Sequence, residues 1–98
     1  MMFVPQLGEK TARVLSVVLE QSMDGYTLQS KTGLTDAELA QALEFLKANE
    51  LIGIEGSLSP ETVRSVYVWV PPSMKGNAQF ILRSFRSQQA SSQQAKPL

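Results

Sequence analysis

Residues 32–52, TGLTDAELAQALEFLKANELI, decide the fold because they contain a start, a period and a stop for one helix. Thr35 and Glu38 form a capping box, in which each side chain accepts a hydrogen bond from the backbone N–H of the other residue. Asn49 is a suitable last residue because asparagine tolerates the left-handed conformation that often ends helices. The apolar face between them consists of Leu39, Leu43 and Leu46. The stretch therefore predicts an amphipathic helix over residues 35–49.

Two helices are predicted before this segment. The first runs from Gly8 to about Ser22, because its apolar residues follow the 3.6-residue period of a helix. These residues are Ala12, Leu15, Val18 and Leu19. After the turn signal at Asp24, a short second helix over residues 27–32 is expected to end at Gly33.

Beyond residue 50 the period changes from that of a helix to that of a strand. LIGIEG (51–56) alternates in part and SVYVWV (65–70) alternates throughout, which predicts a β-hairpin with a long loop. The second strand presents Val66, Val68 and Val70 on one face and Tyr67 and Trp69 on the other. Within the loop, Pro60 is also compatible with the start of one short helical turn.

The C-terminal part contains one more amphipathic segment. Ala78, Ile81, Leu82 and Phe85 recur at helical spacing. The residues from 88 to 98 are rich in Ser and Gln and have almost nothing to bury, so we expect a disordered tail. The predicted organisation is a domain over 1–72, a helix within 73–87 and the tail 88–98.

The stretch from Tyr26 to about Val70 resembles the winged helix-turn-helix superfamily, as found in small bacterial and archaeal regulators with one wing. The resemblance rests on the short helix TLQSKT, the turn Gly33-Leu34, the capped helix that follows, and Leu51-Ile52 at the entry to the hairpin. It implies a mainly α fold with a three-helix core, a two-stranded wing and an added C-terminal helix. In that superfamily the third helix lies in the major groove, while the wing tip touches the backbone or the minor groove.

The charge pattern bears directly on DNA binding. Residues 32–52 carry four acidic residues against one base, Lys47, whereas residues 62–98 carry five bases and no acid. Acids near a helix N-terminus also have a structural explanation, because they interact favourably with the helix dipole. The resulting hypothesis is a small transcriptional regulator that binds duplex DNA with modest, salt-sensitive affinity. We expect Thr35 and Gln41 to face the bases, and the backbone contacts to be Ser30, Lys31, Arg64 and Ser65.

A winged helix that contacts another protein instead of DNA is the alternative hypothesis. Its expected anchors are Phe45, Tyr67 and Trp69, since aromatic residues are typical of interface centres. Covering the chain's own core is an equally simple role for the last two. Ile81, Leu82 and Phe85 are expected to form a homodimer contact with two-fold symmetry, the other possibility being that the last helix packs on its own domain.

Several classes of function are disfavoured by composition. The chain has no histidine and no cysteine, which removes the commonest general base and the commonest metal ligands. No glycine-rich phosphate loop is present either, so we predict a protein that is not an enzyme and needs no cofactor. The longest apolar run, VLSVVL (14–19), is too short to cross a membrane, and no signal peptide is visible. A cytoplasmic location without membrane contact is expected.

Overall fold

The computed structural model describes the backbone of residues 7–94 and the side chains of residues 7–87. Within these residues, four helices and three short strands follow one another, and their order matches the prediction except for one additional strand between the first two helices. They are α1 (Glu9–Glu20), β1 (Met23–Asp24), α2 (Gly25–Thr32), α3 (Asp36–Ala48), β2 (Gly53–Glu55), β3 (Tyr67–Trp69) and α4 (Lys75–Gln94). Two single 3₁₀ turns lie at Val63–Ser65 and Pro72–Met74.

Helix α3 begins as its sequence predicts. The Glu38 N–H donates to the Thr35 hydroxyl at 3.1 Å, and the Thr35 N–H donates to the Glu38 carboxylate at 3.0 Å. The three leucines of its apolar face are fully buried, and the helix packs against α1 and the 3₁₀ turn at Val63–Ser65. The end of the helix differs in one detail. Asn49 caps it through a side-chain bond to the Phe45 carbonyl, and the left-handed residue is Glu50, with a φ of 60°.

The sheet has three antiparallel strands in the order β1-β3-β2, where the sequence predicted a two-stranded hairpin. Met23 pairs with Val68 and Asp24 pairs with Tyr67, so the turn before α2 is also an edge strand. Two residues are too few to show an alternating pattern, and this pairing joins distant parts of the chain. The predicted faces of β3 are confirmed, because the valines at 66, 68 and 70 are buried while Tyr67 is exposed.

The connection between β2 and β3 folds back onto the body of the domain. The Val63 side chain is fully buried, and the 3₁₀ turn that contains it packs on α2 and α3. The Gly25 N–H, at the start of α2, donates to the Val66 carbonyl at 2.7 Å. This approach is so close that only glycine fits, since a Cβ at position 25 would lie 1.7 Å from the Val63 carbonyl oxygen. The loop is therefore fastened to α2.

Helix α4 is longer than predicted. It spans Lys75–Gln94, so the expectation of disorder from residue 88 is wrong as far as residue 94, and residues 95–98 lie outside the described part. The segment QASSQQ contains neither glycine nor proline, and once a helix has formed, each further residue adds a hydrogen bond. At its start the helix packs against α1. No helix within residues 7–94 is long and apolar enough to span a membrane.

Candidate nucleic-acid interface

One ridge of α3 points away from the core. Ala37, Gln41, Glu44 and Ala48 are all exposed and lie at i, i+4, i+7 and i+11, which places them along one face of the helix. Of these four, Gln41 is the conventional reader of base edges, through its amide. Glu44 adds a negative charge to the ridge, and no base lies on it. Lys47 is exposed to one side.

Glu38, in the first turn of α3, is paired with a base from α1. The Lys10 ammonium contacts the carboxylate of Glu38, although the two residues are 28 positions apart in sequence. Hydrogen bonding to Lys10, and then to the Thr35 backbone N–H, lowers the pKa of Glu38 from 4.5 to about 2. Glu38 is therefore ionised at neutral pH, and its charge is balanced on the protein surface.

Asp36, the first residue of α3, is paired with a base from the 3₁₀ turn at Val63–Ser65. The Arg64 guanidinium donates from Nε to Asp36 Oδ1 at 3.0 Å and from NH2 to Oδ2 at 3.3 Å. The Gln29 amide adds a bond of 2.6 Å to Oδ1. These bonds, that of Arg64 first, lower the pKa of Asp36. Bases from two different elements thus flank the N-terminus of α3 and neutralise both of its acids.

The residues predicted to contact DNA lie in different places. Thr35 and Gln41 are exposed on α3, and Arg64 and Ser65 are exposed beside its N-terminus. The Ser30 hydroxyl donates to the Tyr26 carbonyl on the surface of α2. Lys31 lines a depression with Glu20, the last residue of α1, and with Gln21, at the end of α1 remote from Lys10.

Sequence reasoning missed two members of this cluster. Lys10 and Gln29 read as ordinary solvent-facing residues, and nothing in their local sequence connects them with Glu38 or Asp36. Lys10 reaches Glu38 because α1 packs against α3, and Gln29 reaches Asp36 across the turn between α2 and α3. Contacts between residues so far apart leave no mark in a local pattern.

The residues expected to contact a protein occupy two separate surfaces. Phe45 is partly exposed on α3, in a depression shared with Lys10 and Gln41. Tyr67 and Trp69 lie together on the outer face of the sheet, with ring centroids 6.3 Å apart and the Trp69 ring close against Gly53. Phe45 lies near the start of α1, whereas Tyr67 and Trp69 lie near its end.

The assignment of α4 residues to a protein contact needs correction. Ile81 and Leu82 are buried in the chain's own core, and Phe85 is partly buried against it. The last helix therefore packs back on its domain, so Ile81 and Leu82 are not available to a partner. The exposed aromatic residue of α4 is Phe80, which is 52% exposed. The homodimer itself stays a prediction.

Comparisons with known proteins bear on the fold. No protein-family model matches the chain, and no curated protein matches it significantly. Two solved structures are similar: a MarR-family transcriptional regulator from Silicibacter pomeroyi (TM-score 0.63, 20% identity) and a mutant of Lactococcus lactis ZitR (TM-score 0.64, 19% identity). The alignments cover 93% and 96% of this chain but only 60% and 62% of those chains. Together with the order of its helices and strands, this similarity shows that the chain has a winged helix-turn-helix fold.

Proposed function

We propose that this chain is a small DNA-binding regulator of transcription that places α3 in the major groove and binds duplex DNA with modest, salt-sensitive affinity. The main support for this proposal is that Lys10 and Arg64 neutralise both acids at the N-terminus of α3. The acidic appearance of residues 32–52 therefore overstates the negative charge at the docking end of the helix. One solved structure of similar fold is that of a transcriptional regulator, which supports the same function.

Each candidate contact has a chemical role in this proposal. Gln41 reads a base, since a glutamine amide can donate and accept at the N6 and N7 edge of adenine. Thr35, at the tip of α3, contacts the neighbouring base or its phosphate. Arg64 and Ser65 bind the backbone on the side of the loop, and Ser30 and Lys31 do so from α2. The acids Glu44 and Glu50 remain without an ion-pair partner among the described residues, which keeps the affinity modest.

Fluorescence anisotropy of a labelled random duplex, titrated from about 20 to 200 mM salt, tests this function. We expect micromolar binding that weakens steeply as salt rises. Arg64→Ala should reduce the salt slope by up to about one, because one phosphate contact is lost. Arg83→Ala on the exposed side of α4 is the matched control and should leave the slope unchanged. Absence of binding at the lowest salt would contradict the proposal.

Sequence preference needs a second variant. Once a preferred duplex has been selected, Gln41→Ala should relax the preference at one base pair by about 1–3 kcal/mol, the value of a good bidentate contact. Gln79→Ala, an identical change at an exposed position of α4, is the control. Unchanged preference in Gln41→Ala would remove Gln41 from the set of base contacts.

Contact with another protein is the second candidate function, and the paired rings of Tyr67 and Trp69 favour it. Tyr67 is 45% exposed, so part of this aromatic surface remains open to a partner. Tyr67→Ser should abolish capture of such a partner while leaving DNA binding intact. In either case we propose a non-catalytic cytoplasmic protein that acts as a homodimer.

A further inference from the structure

Lys10 and Arg64 stand on opposite sides of the N-terminus of α3. Lys10 belongs to the first turn of α1 and Arg64 to the 3₁₀ turn before β3, and each reaches a different acid in the first turn of α3. Both basic side chains remain more than half exposed, at 59% and 58%. Their charged groups are thus accessible from solvent while they are paired.

We propose that Lys10 and Arg64 contact two phosphates of the DNA. Before binding they are paired with Glu38 and Asp36, and DNA binding replaces each carboxylate by a phosphate oxygen. The inference rests on the proposed DNA-binding function. It adds Lys10 to the interface and gives the two acids a regulatory role, since they set how readily the protein binds DNA. The acids act as internal competitors of the phosphate backbone.

The chemistry of the two pairs allows the exchange. The Arg64 guanidinium donates two bonds to Asp36, and the same fork fits two oxygens of a phosphate. Exposed ion pairs are weak, so little is lost when the base leaves its carboxylate. The N-terminus of α3 also favours a nearby anion, whether carboxylate or phosphate. The acids therefore occupy the kind of environment that a phosphate would take.

The exchange predicts a particular salt dependence. A base that binds a phosphate releases condensed counterions from the DNA. When that base leaves a carboxylate, the exposed carboxylate attracts a cation, which offsets part of the release. Removing both acidic charges abolishes this offset. The slope of log affinity against log salt should then steepen by up to about two, at roughly 0.9 for each phosphate.

The test compares two double variants with equal change in net charge. Asp36→Asn with Glu38→Gln removes the two competitors, while the amide oxygens can still accept bonds from Gln29 and from the Thr35 N–H. Glu44→Gln with Glu50→Gln removes two acids from the same segment that hold no base among the described residues. Thermal melts of both proteins confirm that each is folded.

We expect the first double variant to bind the random duplex with a steeper salt slope than the second. Because a slope increase of about 1.8 would act over a fourfold salt range, the affinity that this variant gains over wild type should be up to about twelvefold larger at 50 mM than at 200 mM salt. Adding Lys10→Gln and Arg64→Gln to the first double variant should abolish that gain. Wild-type protein with Lys10→Gln alone should bind more weakly than wild type.

The outcomes separate this inference from the function on which it rests. If wild type binds and the two double variants gain equally with the same slope, only net charge matters and the exchange is refuted. If Lys10→Gln has no effect in either background, Lys10 is not a contact. If neither wild type nor the first double variant binds the duplex at about 20 mM salt, both the inference and the DNA-binding function fail.

Discussion

Replacing Gly25 by alanine should destabilise the protein by a mechanism that the structure defines closely. The new Cβ would lie 1.7 Å from the Val63 carbonyl oxygen and 2.8 Å from its carbon, both backbone atoms. Neither can move aside without displacing the 3₁₀ turn from α2. The same movement breaks the 2.7 Å hydrogen bond from the Gly25 N–H to the Val66 carbonyl.

The cost has two parts. A backbone hydrogen bond contributes about 1 kcal/mol. Partial exposure of the Val63 side chain, which is fully buried, removes part of the roughly 1.5–3 kcal/mol that burial of a valine provides. Alanine recovers some of this loss because it favours a helix more than glycine does. We expect the free energy of unfolding to fall by about 1–2 kcal/mol.

Gly76→Ala is the matched control. Gly76 is the second residue of α4, and a Cβ there meets nothing within 4 Å. The same substitution should raise stability by up to about 1 kcal/mol through helix propensity. Urea unfolding followed by far-UV circular dichroism measures both variants. If Gly25→Ala unfolds at the same urea concentration as Gly76→Ala, the close approach of α2 to the loop is refuted.

Three further predictions concern other parts of the chain. Because the pKa of Glu38 is lowered to about 2, the stability it contributes should be complete above pH 4.5 and lost as pH falls toward 2. Urea unfolding across this range should show wild type approaching Glu38→Gln at low pH, and a constant difference would refute the ion pair. Trp69→Ala should lower the free energy of unfolding by about 2 kcal/mol. This is less than the loss at a fully buried tryptophan, because the ring covers Gly53 but stays partly exposed. A variant as stable as wild type would show that the ring does not contribute to packing. Ile81→Ala should cost about 2–4 kcal/mol in thermal or urea unfolding, whereas Phe80→Ala should stay within about 0.5 kcal/mol. Equal losses from those two variants would show that α4 does not pack through Ile81.

Local sequence patterns were sufficient for the core of the fold. The capping box at Thr35 and Glu38 specifies the start of α3 within four residues, and the structure contains both of its hydrogen bonds. Alternation in SVYVWV assigned the faces of β3 correctly, because a strand with one buried face has a period of two. These features were predictable because the residues that produce them are neighbours in the chain.

Features that depend on contacts between distant residues could not be predicted from local sequence patterns. Strand β1 consists of two residues and exists only because β3 pairs with it. The ion pairs of Asp36 and Glu38 join residues 28 positions apart. For α4, the low hydrophobicity of residues 88–94 suggested disorder, although nothing in them stops a helix that has already begun. Tertiary packing decided the first two of these outcomes, and helix propagation decided the third.

The attachment of the loop to α2 has a mechanical consequence. Strand β1 leads directly into α2 and pairs with β3, and the Gly25 hydrogen bond fastens the same helix to the end of the loop. Rotation of the hairpin relative to α2 would have to break both contacts, so we expect the two elements to move as one unit. Helix α1 packs against α2, α3 and β3, so it is the element relative to which such a unit would move.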